Sequence, residues 1–135
     1  GEQDRTVGAE RLIAMSNDHK PPRYRDAIDA LVRMCREGQG QIAANRVREG
    51  SWSKVASDDL ISDQPSLEHL LNRLSTTERN MIAELLAAEV VTGVFETLKV
   101  LEEFKIEPFT EGYEGGPYHD FVGRLAGCNW PKSEP

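Results

Sequence analysis

The chain has 135 residues, 39% of them hydrophobic and 29% charged, with a net charge of −7. That length suits one domain that buries a core without a disulfide or metal staple, and the balance excludes both a disordered tail and a membrane-spanning protein. The charge is uneven, a net +2 over residues 1–54 and −9 over residues 55–135, so the second part offers no basic surface for nucleic acid.

In the first part, Lys20, Arg23, Arg25, Arg33, Arg36, Arg46 and Arg48 are interrupted by Asp26, Asp29 and Glu37. This is the pattern of a solvated, mixed-charge helix face. The opening "GEQDRTVGAERL" has no apolar core of a secretory signal. The two cysteines, Cys35 and Cys128, fit unpaired thiols in a reducing compartment, which predicts a cytoplasmic protein.

A first helix is expected over residues 4–16, ended by "NDHKPP" because Lys20 precedes a proline. The second starts near Pro22 and carries Tyr24, Ile28, Leu31, Val32 and Cys35 on one stripe. Gly38 and Gly40 are expected to stop it. "QIAANRVRE" predicts a further short helix before Gly50. Residues 50–65 form a long connection rich in Ser and Asp, with Trp52 pinning it to the core.

Ser66 is the expected N-cap of the next helix. Leu67, Leu70, Leu71 and Leu74 supply its apolar stripe. "STTE", Ser75 to Glu78, is a capping box opening a long helix over residues 76–104. Met81, Ile82, Leu85, Leu86, Val90, Val94, Leu98 and Leu101 form its predicted core stripe. Gly93 is the natural place for a bend or break. A strand over residues 90–95 is the competing assignment, weakened by poor alternation.

"KIEPFTEGYEGGP" then reads as a loop. Gly116 and Pro117 predict the start of a last helix whose apolar face is Tyr118, Phe121, Val122 and Leu125, with Gly127 as its stop. Asp120 and Arg124, four apart, predict a surface ion pair. The expected fold is all-α: one domain over residues 1–135, a bundle of five or six helices around residues 76–104. Residues 127–135 form a C-terminal tail.

Two functional readings stay open. Glu111, Glu114, His119 and Asp120 are candidate metal ligands, if the loop gathers them. His119 and Asp120, adjacent on a helix, point about 100° apart, which counts against one shared ion. No HExxH, CxxC, EF-hand, GxSxG, Walker A or GxGxxG motif is present. No cofactor is therefore implied, and a buried Cys35 would be inert. Tyr113, Tyr118, Arg124 and Trp130 are candidate contacts for another protein.

"STTERNMIAELLAAEVVTGVFETLKVLEEF" and "YEGGPYHDFVGRLAGCNWP" resemble a group of small bacterial proteins classed as a domain of unknown function, over residues 66–131. The resemblance implies a bacterial origin and no activity. The leading expectation is a non-enzymatic acidic interaction module, immunity- or antitoxin-like, that binds an unknown protein through its C-terminal region. The alternative is a small metal-dependent enzyme or ligand-binding protein using the loop at residues 111–120. Homodimerisation through the long apolar helix is a further option.

Overall fold

A computed structural model describes residues 22–52 and 63–132. The expected helix over residues 4–16 and most of the connection at 50–65 lie outside the described residues. Among those described, every regular element is helical: α1 (Pro22–Glu37), α2 (Gln39–Glu49), α3 (Gln64–Arg73), α4 (Thr76–Glu103) and α5 (Pro117–Leu125). Only Gly38 separates α1 from α2. No helix among the described residues is long and apolar enough to cross a membrane.

Contacts group the described residues into two compact units, one within 22–32 and 95–132, the other within 33–94. The second of these has a small core. Ala44, Val47, Leu71 and Ala83 are buried together, with Trp52, Leu67, Leu74 and Ala87 packed against them. Trp52 thus does pin the start of the connection to this core, and the Arg46 guanidinium lies over its ring. Gly40 does not stop a helix but sits inside α2. A Cβ there would come within 2.3 Å of Val90 Cγ2, so glycine lets α2 approach α4 closely.

Local capping chemistry sets the helix starts. Asp63, rather than Ser66, caps α3: its carboxylate accepts from Ser66 N at 3.1 Å and from Ser66 Oγ at 2.9 Å. Pro65 sits in the first turn, where a missing N–H costs nothing. The capping box before α4 is formed as expected. Ser75 N donates to Glu78 Oε1 at 2.9 Å, and Glu78 N donates to Ser75 Oγ at 3.1 Å. These bonds hold the exposed Glu78 carboxyl below its usual range.

The helix α4 runs through Gly93 without interruption, and no strand forms at residues 90–95. Of its expected stripe Val94 and Leu98 are buried, but the first half differs. In the second unit Ala83 and Ala87 face the core, while Met81, Ile82, Leu85 and Leu86 are exposed. Arg79, at the start of α4, holds the unit's helix ends. Its Nε donates to Arg48 O at 3.1 Å, and its Nη1 donates to Leu74 O at 3.2 Å and Leu71 O at 3.4 Å. Arg48 O and Leu74 O stand at helix ends, where carbonyls lack helical partners, and Leu71 O also accepts from the capping Leu74 N.

In the other unit, Tyr24, Ile28 and Val32 of α1, Leu98 of α4, and Pro117 and Phe121 of α5 are buried. Each large apolar side chain so buried contributes about 1.5–3 kcal/mol relative to exposure. The stripe expected along α1 and the helix expected from Pro117 are both realised here, with Gly116 as N-cap.

Candidate functional site

The chemistry-bearing residues of the unit formed by residues 22–32 and 95–132 gather around two carboxylates. Asp120 stands in the first turn of α5. Its Oδ2 accepts from the Tyr24 hydroxyl at 2.6 Å and from Tyr113 N at 2.8 Å. One carboxylate oxygen therefore ties α1, the loop and α5 together. The loop reaches it because residue 112 is glycine. A Cβ at Gly112 would meet Asp120 Oδ2 at 2.8 Å and Gly116 O at 2.6 Å. Tyr24 is fully buried. Burial first, and the bond to Asp120 second, push its phenol far above its ordinary range, so it stays a neutral donor.

Asp29 is the second centre. Arg124 Nε donates to its Oδ1 at 2.7 Å, and Trp130 Nε1 donates to its Oδ2 at 3.0 Å. The expected Asp120–Arg124 pair gives way to this one. Arg124 also donates from Nη1 to Cys128 O at 2.8 Å, so it fixes the tail as well as α1. Arg25 completes the cluster: its Nε donates to the Tyr113 hydroxyl at 2.7 Å. Its guanidinium lies 4.9 Å from the Tyr113 ring centroid and 5.7 Å from that of Trp130. Arg124 lies 5.2 Å from the Trp130 ring, so two cations flank one indole.

The candidate contact residues thus have work inside the fold. Tyr113 and Trp130 lie with ring centroids 5.5 Å apart, and each is about 6 Å from Tyr24. Tyr118 meets Phe95 edge-on at 5.0 Å. Arg124 is tied to Asp29. This network fastens the tail as far as Trp130 onto its own unit.

Of the candidate metal ligands, Glu114, His119 and Asp120 line one open cavity of about 270 Å³ with Arg124, Cys128 and Trp130. Glu111 is exposed and does not line it. One of the two Asp120 oxygens, Oδ2, already holds two donors. The His119 ring lies tilted against that of Tyr118, with centroids 4.4 Å apart. Among the described residues, no three His, Cys, Asp or Glu side chains are arranged to hold a metal ion. At that volume the cavity is slightly below the ~300 Å³ of an ordinary ligand site.

Sequence reasoning missed the exposed apolar residues of this unit. Val100, Phe104 and Ile106 are 51%, 70% and 48% exposed. Val100 and Phe104 share a helix face, four residues apart. Their signal was angular: Val100 stands roughly 160° from Leu98 around the helix, on the side away from the core stripe.

The chain belongs to the Family of unknown function (DUF6547), which it matches over residues 17–132. That range takes in and extends the 66–131 on which the resemblance rested. No curated protein and no solved structure matches the chain.

Proposed function

We propose that the protein is a non-catalytic interaction module that binds another protein through its C-terminal region. The observation that carries this reading is the exposed apolar group Val100, Phe104 and Ile106. A phenylalanine with 70% of its surface in water contributes little to its own fold. Large aromatic side chains of this kind anchor protein interfaces. The network around Asp29 and Asp120 supports the reading, because it stiffens the unit that presents them. The net −9 over residues 55–135 favours a basic partner, of the sort an immunity or antitoxin protein neutralises. A bacterial cytoplasm fits the free thiols of Cys35 and Cys128.

The test is affinity capture from cell extract with the native protein and with Phe104→Ser, followed by reconstitution with the purified partner. A partner held by the native protein and released by a folded Phe104→Ser supports the reading. Equal recovery by both would overturn it.

A second reading is favoured by the cavity, since three of the candidate ligands line it. There the protein takes a small polar ligand or a divalent metal beside His119. Thermal unfolding against a panel of metals and small organic acids tests it. A ligand at a hundred times its Kd adds about 2.7 kcal/mol. A rise of several degrees that His119→Ala abolishes would support the cavity, and a flat response would end that reading.

A further inference from the structure

The exposed side of α4 within residues 33–94 is a separate feature. Two rows of side chains, each at four-residue spacing, run along it: Glu78, Ile82, Leu86 and Met81, Leu85, Glu89. All six are exposed, Met81 and Leu85 by 66% and 62%. Such rows are the ridges into which another helix packs. Four large apolar side chains lie between the two glutamates, which stand about 16 Å apart along the axis and on nearly the same face. The one basic residue of this stretch, Arg79, is turned to the carbonyls of Arg48, Leu71 and Leu74. The charges bracketing the apolar strip are therefore only negative.

We propose that this face docks a cationic amphipathic helix of another protein, with its apolar stripe on Met81, Ile82, Leu85 and Leu86 and a Lys or Arg near each of Glu78 and Glu89. Charge complementarity chooses the occupant. A second copy of the chain in two-fold antiparallel pairing would set Glu78 against Glu89 of its neighbour, like against like. A basic helix meets both carboxylates with the opposite sign. Recognition by spaced apolar anchors on a helix is a recurrent mode of binding. Val100 and Phe104 lie on the same side of α4 but 18 residues, about 27 Å, further along its axis than Ile82 and Leu86, and the proposal does not rest on the one above.

The experiment titrates the full-length protein into a labelled synthetic peptide of leucine, alanine and lysine. The peptide is about five helical turns long with all leucines on one face, and fluorescence anisotropy reads binding at low salt. The proposal expects micromolar binding, weakened roughly tenfold by Leu85→Ser, an exposed change that leaves the core intact. Glu89→Lys should weaken the lysine peptide and strengthen a matching peptide with glutamate in place of lysine. Phe104→Ser should bind as the native protein does, which separates this stretch of α4 from the one proposed above. Three results overturn the proposal. They are no binding, binding indifferent to Leu85→Ser (general charge attraction), and a dimer in sedimentation of the protein alone that Leu85→Ser dissolves.

Discussion

The polar centres of the two units have opposite sign. In residues 33–94 the centre is a cation, Arg79, surrounded by carbonyl oxygens of two helix ends. In the other unit the centres are anions, Asp120 and Asp29, surrounded by a phenol, an indole N–H, a guanidinium and a loop N–H. The difference follows from what each place must satisfy. Helix C-termini leave acceptors without partners and call for a donor that forks. A loop and a tail lying over an aromatic cluster bring donors, and call for an acceptor with two oxygens.

The contrast would break first at Asp120. Removing it in Asp120→Ala leaves the buried Tyr24 hydroxyl and Tyr113 N without their acceptor. The expected loss is about 3 kcal/mol, seen as a drop of roughly 10 °C in the melting temperature. A loss under 1 kcal/mol would make the carboxylate a bystander. The same centre predicts an alkaline limit. Because burial and Asp120 raise the Tyr24 pKa, the folded chain keeps a proton that the unfolded chain releases above pH ~10. The stabilisation is complete below that pH and is lost as pH climbs past it. Urea unfolding at rising pH should show the decline, and Tyr24→Phe should flatten it.

Arg79→Met probes the other sign. The methionine keeps much of the stem's packing and deletes three donations to carbonyls. We expect a loss of about 2 kcal/mol in urea unfolding. Equal stability of Arg79→Met and the native protein would mean that water serves those carbonyls as well.

How far the sequence reveals this depends on the distance between partners. The capping box is legible because Ser75 and Glu78 lie three residues apart and their bonds are local. Ser75→Ala should cost about 1 kcal/mol in the same assay, and a neutral result would show the box to be redundant. The last helix is legible for the same reason, through Gly116, Pro117 and its apolar spacing. Asp120 and Asp29 are not. Tyr24 and Asp120 stand 96 residues apart, and Asp29 lies 95 and 101 residues from Arg124 and Trp130. Local spacing suggested an Asp120–Arg124 pair, and tertiary packing gave each a better partner.

The buried side of α4 was legible at Val94 and Leu98 but hidden by size in its first turns. Met81, Ile82, Leu85 and Leu86 outweigh Ala83 and Ala87 in any apolar pattern. Yet the alanines face the core, where small side chains let helices approach. Asp63 displaced Ser66 as cap because both types cap well and they stand three residues apart.

The smallest predicted effect compares helix ends across the two units. Three helices stop in the same way, with a residue one or two past the helix bonded three back and the next bonded five back. Gly50 and Ser51 bond to Val47 and Arg46. Gly127 and Cys128 bond to Arg124 and Gly123, and Lys105 and Ile106 to Glu102 and Leu101. This stop needs a left-handed backbone. Gly50 and Gly127 adopt it with φ of 73° and 92°, as glycine does freely. Lys105 adopts it with φ 54°, against a steric cost of roughly 1–2 kcal/mol for a residue with a Cβ. Lys105→Gly removes that cost and adds some freedom to the unfolded chain, a net gain of about 0.5 kcal/mol. Melting a degree or two higher would confirm that lysine strains the end of α4. Melting lower would mean that its side chain, and not only its backbone, holds the turn that presents Phe104 and Ile106.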